Sequence, residues 1–330
     1  MKTISIQIIS LLILAIGFGN PTVNAQSANE LDILVEYMKK EGYDLNKVME
    51  RKTWIPGPED VVENLSDYFI IDIRTGDIAP KNGKPDFEDG HLPGAMNTSF
   101  ENILKFAKSN NAPDRILVVS CDGQAAAAAA VALRVSGYPN TKVLKFGMSG
   151  WNKDFDMWTS ALSTDAMKHK NWAKDKAAKT KTFKDSPELK TGKKNGKEIL
   201  AAQVDAFLAK GFQYGIDPME VLNNPKDYFV VNQGDEKAYG QYGIMKGAYQ
   251  FNQPMLQEKA NHGSLNNYPT DETIVQYCWT GHAAITTAAW MNLLGYNAKG
   301  VKYGVNGLIY DNLKKSQFKK AANLPYVSGK

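Results

Sequence analysis

Cysteine and histidine are scarce in this sequence. Its 330 residues contain two cysteines, Cys121 and Cys278, and four histidines. These side chains are not spaced as metal ligands are, so the sequence predicts no metal site. Neither cysteine has a second one two residues away, which disfavours a disulfide oxidoreductase. On count alone, a structural disulfide stays open.

Long apolar runs are missing after the first 25 residues. The stretch 4–16 is almost wholly apolar, but it is shorter than the roughly 20 residues of a membrane-spanning helix. Lys2 precedes it and the small-residue motif Val23-Asn24-Ala25 follows it, as in a signal peptide with its cleavage site. We predict a signal peptide over residues 1–25 and an exported, periplasmic or secreted protein that leaves the membrane after cleavage. A retained N-terminal anchor is the alternative.

A large excess of one charge is also missing. The formal net charge is +4, and much of it comes from the lysine-rich stretch 168–197. Nucleic-acid binding is therefore not implied. We interpret residues 166–200 as a solvated linker, with a polyanion-binding patch as the alternative.

The most informative pattern is an internal repeat. Four blocks occur twice in the same order: 58–71 and 218–231, 90–95 and 243–248, Cys121 and Cys278, and 146–150 and 303–307. Such a repeat indicates two copies of one domain. We predict domains over residues 58–165 and 201–325, with a helical segment over 26–57 before the first.

Strands and helices alternate in each copy, which predicts an α/β fold with two doubly wound parallel sheets flanked by helices. Cys278 follows the β-branched, apolar stretch 273–277 and precedes a helical pattern that ends at Gly295. Cys121 follows a similar strand and precedes an alanine-rich helix. Each cysteine is thus expected where a strand turns into a helix N-terminus. Free backbone N–H groups at that point lower the pKa of a thiol and stabilise an attached anion.

These motifs together resemble the tandem rhodanese-like sulfurtransferases of the thiosulfate/3-mercaptopyruvate type. The resemblance rests on four motifs: Ile71-Asp72-Ile73-Arg74, the Gly-His-Leu-Pro-Gly-Ala motif at 90–95, Gly147-Met148-Ser149-Gly150-Trp151, and Tyr277-Cys278-Trp279-Thr280-Gly281-His282. It covers most of the chain after residue 25.

The resemblance implies a ping-pong sulfurtransferase without a cofactor. A cysteine takes the outer sulfur of a small donor such as thiosulfate as a persulfide and passes it to a thiol or to cyanide. It implies Cys278 as the catalytic residue and Cys121 as a weaker second site. The substrate-binding loop would be Trp279, Thr280, Gly281, His282, Ala283 and Ala284, with His282 holding positive charge near the sulfur.

The sequence departs from the family pattern in both copies. An arginine often found at the fifth place after the cysteine is Ala126 or Ala283 here. In copy one the loop is one residue shorter, and Asp122 beside Cys121 should raise the pKa of that thiol. In copy two, three family residues of copy one are replaced, which we interpret as framework changes: Asp72 by Asn232, Arg74 by Gly234, and His91 by Ile244.

Two other functions are alternatives to a sulfurtransferase. A cysteine phosphatase needs an arginine at the sixth place after the cysteine, where this chain has Ala127 and Ala284. A rhodanese-like module that binds a partner or a sulfur compound without catalysis stays open. A disulfide between Cys121 and Cys278 is disfavoured because two equivalent turns in separate domains would have to meet. The physiological donor and acceptor, the activity of Cys121 and the oligomeric state do not follow from the sequence.

Overall fold

The computed structural model describes residues 29–50, 53–75, 86–174, 176–234, 236–250, 254–256 and 264–329. The predicted signal peptide, residues 1–25, lies outside the described residues. None of the described helices combines the length and the apolar character needed to cross a membrane.

Within these ranges the chain forms short strands and mostly short helices. The strands are β1 (Phe69–Asp72), β2 (Met96–Asn97), β3 (Ile116–Val119), β4 (Lys142–Val143), β5 (Trp172–Ala173), β6 (Gly215–Ile216), β7 (Phe229–Asn232), β8 (Ile244–Met245), β9 (Tyr249–Gln250), β10 (Ile274–Tyr277) and β11 (Ala298–Val301). The helices are α1 (Glu30–Glu41), α2 (Leu45–Val48), α3 (Pro58–Val62), α4 (Ile103–Ser109), α5 (Gln124–Arg134), α6 (Gly147–Trp151), α7 (Gly196–Ala209), α8 (Pro218–Asn223), α9 (Glu236–Tyr242), α10 (His282–Leu293) and α11 (Asn306–Ile309).

Each copy of the repeat builds its own parallel sheet. The first sheet has the order β2-β1-β3-β4 and the second has the order β6-β11-β10-β7-β9. Apart from β6, the two orders are the same when corresponding strands are matched. In copy one, backbone at Trp54 and Pro56 accepts hydrogen bonds from Val143 and Lys145 and runs beside β4 as β6 runs beside β11. The predicted doubly wound α/β class with a parallel sheet in each copy is confirmed, while the exact domain boundaries stay predictions.

The two copies share one hydrophobic core. In β3, Ile116 and Val118 lie in a large core that also contains residues of β7, β10 and the long helices α1, α5, α7 and α10. Leu117 and Val119 point to the opposite face of the sheet and join a smaller core of copy one. This alternation places the long helices between the two sheets. The N-terminus of α5 meets the loop before α10 across the domain interface, where Gln124 Nε2 donates to the Thr280 carbonyl at 3.1 Å.

Each copy also covers the other with the chain segment that follows it. After copy one, β5 pairs antiparallel with β8 of copy two. After copy two, the C-terminal segment forms an antiparallel bridge from Val327 to His91 of copy one. The lysine-rich stretch predicted as a solvated linker is thus anchored in part, because its Trp172 and Leu189 side chains are buried.

Candidate functional site at Cys278

Cys278 lies immediately after β10, where the chain turns into α10. Gly281 is the residue before this helix and has a φ of 83°, a conformation that glycine adopts without strain. A Cβ atom at Gly281 would lie 2.6 Å from the Gln124 side chain and 2.8 Å from the backbone of Val301 and Tyr303. Glycine at this place therefore fixes the shape of the loop.

Four backbone amides of the loop converge on the Cys278 sulfur. The N–H groups of Thr280, Gly281, Ala283 and Ala284 all donate toward this thiol. This is the arrangement expected for a strand-to-helix turn, and it suits an anionic sulfur species. The predicted loop residues Ala283 and Ala284 contribute through their backbone rather than their methyl groups.

The resting thiol is nevertheless not activated. Burial raises the pKa of Cys278, and this effect is larger than the opposing effect of the four amides, so the net shift is upward. The sequence-based expectation of a lowered thiol pKa is therefore wrong in its net direction. The amides act in the predicted sense, but Cys278 is only 8 % exposed.

Two cavities meet at this sulfur. The smaller has room for about one water-sized group, about 20 Å³, and Cys278, Trp279, Tyr242 and Asn232 are among its lining residues. The larger measures about 360 Å³, and its lining includes Cys278, Trp279 and Lys145 of copy one. Cys278 can thus be reached from a space that both copies enclose.

Trp279 lines both cavities and is held from several sides. Its carbonyl accepts a 2.6 Å hydrogen bond from the Asn306 side chain. The Tyr242 ring contacts the indole edge-on at 5.5 Å, and the Lys315 ammonium lies 5.1 Å from the indole centroid. The ring therefore forms a rigid wall beside the thiol.

His282 does not carry positive charge to the sulfur. Its ring is 1 % exposed, its Nδ1 lies 2.9 Å from Thr280 Oγ1, and it stacks on Trp158 at 5.8 Å. Burial, with a smaller effect from Lys145, lowers the pKa of His282 to about 3. The imidazole is therefore neutral near pH 7, and the expected electrostatic role is wrong.

The two cysteines are not structurally equivalent. In copy one, the amides of Gly123 and Ala126 donate to Ser120 Oγ at 3.1 and 3.3 Å. Ser120 and Cys278 each stand three residues before the glycine that precedes the helix. The pairing of Cys121 with Cys278 in the repeat is corrected by one position: Ser120 corresponds to Cys278, and Cys121 corresponds to Trp279. The two loops therefore have the same length, and the prediction of a shorter loop in copy one is wrong.

The backbone around both loops supports this register. The amide of Met148 donates to the Ser120 carbonyl, and the amide of Val305 donates to the Cys278 carbonyl, both at 2.9 Å. The sequence signal for Ser120 is its distance from the next glycine. Ser120 and Cys278 both lie three residues before a glycine that precedes a helix, whereas Cys121 does not.

Cys121 lies in a different chemical setting. It lines a cavity of about 640 Å³ together with Arg74, Asp122 and Lys302. Burial and, to a smaller extent, the neighbouring Asp122 together raise the pKa of Cys121 to about 12, and the contribution of Asp122 has the predicted direction. Cys121 and Cys278 are not joined by a disulfide, so the disulfide alternative is not realised.

The family residues that copy two lacks have framework roles in copy one. Asp72 accepts a hydrogen bond from the amide of Arg74 at 3.0 Å and forms a buried ion pair with its guanidinium. Asn232 accepts the equivalent bond from the amide of Gly234 at 3.1 Å, without the ion pair. The replacement keeps the turn and removes two buried charges, as the framework interpretation requires.

Among the described residues, no three histidine, cysteine or acidic side chains are grouped as metal ligands.

A comparison with protein-family models finds a match for copy one. Residues 57–154 match the family model of the rhodanese-like domain. Residues 57–154 form a rhodanese-like domain. The matched copy is the one whose amides hold Ser120, whereas the cysteine with four converging amides belongs to the copy outside the match.

Solved structures with weaker similarity include three sulfur-transfer proteins. A thiosulfate sulfurtransferase from Pseudomonas aeruginosa has 15% identity and a TM-score of 0.28, with 90% of this chain and 49% of that one covered. This chain thus spans about half of that protein. A 3-mercaptopyruvate sulfotransferase from Escherichia coli has 16% identity and a TM-score of 0.27, with 76% and 98% covered. A 3-mercaptopyruvate sulfurtransferase from Leishmania major has 12% identity and a TM-score of 0.28, with 79% and 74% covered. No curated protein matches the chain.

Proposed function

We propose that this protein is a sulfurtransferase that carries sulfane sulfur as a persulfide on Cys278. The observation that carries the proposal is the convergence of four backbone amides on one free thiol. A persulfide is an anion on a short side chain, and such amides stabilise it without a metal or an organic cofactor. The rhodanese-like domain of copy one supports the same reaction class.

The reaction proceeds in two displacements. The Cys278 thiol loses its proton to solvent, and its sulfur attacks the outer sulfur of the donor. A new S–S bond forms while the bond between the outer sulfur and the rest of the donor breaks, which is an S–S bond in thiosulfate and polysulfide and the C–S bond in 3-mercaptopyruvate. That electron pair leaves with the donor remnant, which is sulfite when the donor is thiosulfate. A thiolate or cyanide then attacks the outer sulfur, and the electron pair of the cysteine S–S bond returns to Cys278.

Small donors and acceptors suit the enclosed site. The thiol is reached through cavities rather than from an open surface. We propose neither a nucleic-acid nor a membrane partner. The signal-like sequence at residues 1–25 supports export to the periplasm or the medium, where the protein would act.

Mass spectrometry tests the proposal directly. Wild type, Cys278→Ser and Cys121→Ser are incubated with thiosulfate, polysulfide or 3-mercaptopyruvate and weighed intact. We expect a gain of one sulfur atom in wild type and Cys121→Ser, and none in Cys278→Ser. A gain that depends on Cys121, or no gain with any donor, contradicts the assignment.

A non-catalytic binding module is the second candidate function. The raised pKa of Cys278 and the alanine at the place of the usual arginine favour it. It predicts that a sulfur compound binds, as measured by calorimetry, without any covalent gain in mass.

A further inference from the structure

The Cys278 loop has no cation of its own where related loops often have arginine, because that place is Ala283. A cation comes instead from the other copy. Lys145 follows β4 of copy one, is half-buried, and lines the larger cavity together with Cys278. Its amide donates to the Pro56 carbonyl at 3.0 Å, so its backbone is fixed beside the sheet.

The Lys145 side chain reaches the start of the helix that follows Cys278. Its ammonium lies 5.0 Å from the Phe146 ring centroid, and that ring contacts His282 edge-on at 5.7 Å. The charge of Lys145 also contributes to the lowered pKa of His282, the first residue of α10. Two independent relations thus place this ammonium near the helix N-terminus that surrounds the thiol.

The surroundings favour a negatively charged ligand. No acidic side chain is found among the described residues that line the two cavities at Cys278. The fixed charges and dipoles there are the Lys145 ammonium, the four loop amides and, at the Trp279 ring, the Lys315 ammonium. All of them present positive charge. Trp54 and Ile55 add an apolar wall to the same cavity.

We propose that Lys145 binds the negative group of an anionic sulfur donor and positions its outer sulfur at Cys278. This inference rests on the proposed function and adds a residue of copy one that binds the negative charge of the donor. Copy one then contributes a positioning residue to the site of copy two, in place of the arginine that the loop lacks. A charge-assisted hydrogen bond from the ammonium to an oxyanion is the interaction expected.

The repeat offers a matched control. Lys302 precedes Tyr303-Gly304 in copy two as Lys145 precedes Phe146-Gly147 in copy one. Lys302 lines the cavity of Cys121 and is not among the residues around Cys278. Replacing Lys302 with glutamine removes the same single positive charge at the equivalent turn and leaves the proposed site at Cys278 unchanged.

The first experiment measures charge at the thiol without sulfur transfer. Rates of Cys278 alkylation by iodoacetate, an anion, and by iodoacetamide, which is neutral, are compared by peptide mass spectrometry. We expect Lys145→Gln to lower the iodoacetate-to-iodoacetamide rate ratio by roughly fivefold, because the anionic reagent loses its cation. Lys145→Arg should retain the ratio, and Lys302→Gln should leave it unchanged. An unchanged ratio in a Lys145→Gln protein that melts like wild type overturns the proposal.

The second experiment measures turnover with thiosulfate as the probe. Lys145→Gln should raise KM by about tenfold or more, with a smaller change in kcat, because donor binding rather than the cysteine is affected. Lys145→Arg should restore KM. A KM equal to that of wild type overturns the donor-binding role. If wild type forms no persulfide while the alkylation ratio still depends on Lys145, the anion site stands and the sulfur-transfer function is the part that fails.

Discussion

At Cys278, burial and backbone hydrogen bonding act on the thiol in opposite directions. Four amides stabilise the charged sulfur, yet the buried position raises the thiol pKa overall. The thiol is therefore mostly protonated at rest, and the amides stabilise the sulfur only after it has become negatively charged. A thiol of this kind reacts slowly with non-specific oxidants, which attack thiolates. The same amides are then available to the persulfide once a donor is bound.

His282 gives the stability of the protein a pH dependence that its sequence position does not suggest. Its pKa is lowered to about 3 in the folded state from an ordinary value of 6.5. The stabilisation is therefore fully present above pH 6.5 and is lost as the pH falls toward 3, since the unfolded chain binds the proton first. The slope approaches about 1.4 kcal/mol per pH unit in that window.

The pH dependence caused by His282 can be tested by replacing it with glutamine, because Gln124 occupies the equivalent first position of α5. We expect His282→Gln to flatten the loss of stability between pH 6.5 and 4.5 by about 2 kcal/mol. Urea unfolding at a series of pH values measures it, and slopes are compared rather than absolute stabilities. Parallel curves for wild type and variant would show that His282 does not titrate as its burial requires.

The turn from β10 into α10 decides whether the amides can converge. Gly281 carries both the positive φ and the close contacts with Gln124 and the β11 end. We expect Gly281→Ala to lower the free energy of unfolding by more than the roughly 1–2 kcal/mol of a left-handed alanine and to abolish persulfide formation. Denaturant unfolding and intact-mass measurement report the two effects.

Gly137 provides the control for this substitution. It has a φ of 106° and nothing within 4 Å of an added Cβ. Gly137→Ala should therefore show the backbone strain alone, with persulfide formation at Cys278 retained. Equal losses in the two variants, or a Gly281→Ala protein that still takes up sulfur, would mean that the close contacts do not shape the loop.

The sequence predicts the strands, the helices and the turn at Cys278 better than it predicts which side chains surround the thiol. The alternating strands and helices and the turn at Cys278 follow from local periodicity, which needs only neighbouring residues. Matching the two rare cysteines pairs Cys121 with Cys278, whereas the spacing to the following glycine pairs Ser120 with Cys278, as the structure shows. The neutral state of His282 and the role of Lys145 depend on the docking of the two copies, which no local pattern records.

The whole molecule is closed by segments that each copy lays on the other. The C-terminal segment of copy two covers the outer face of copy one, where Trp151 is fully buried. Trp151 Nε1 donates to the Pro325 carbonyl at 2.8 Å, and the amide of Leu324 donates to the Trp151 carbonyl at 2.9 Å. The Tyr326 ring packs edge-on against Phe155 at 4.9 Å. The last residues of the chain are thus part of the core of its first domain.

Removal of residues 321–330 should therefore destabilise copy one although the deletion lies in the sequence of copy two. The truncation leaves the Trp151 N–H without its carbonyl and exposes apolar surface of Phe155, so we expect a loss of at least about 3 kcal/mol. Thermal unfolding followed by tryptophan fluorescence measures it. Lys320→Ala, at an exposed position just before the deletion, should melt like wild type.

Because Lys145 reaches the Cys278 cavity from copy one, the truncated protein should also lose persulfide formation at temperatures where copy two is still folded. If the truncation unfolds at the wild-type temperature, the C-terminal segment does not hold the first domain, and the two copies are more independent than their shared core indicates.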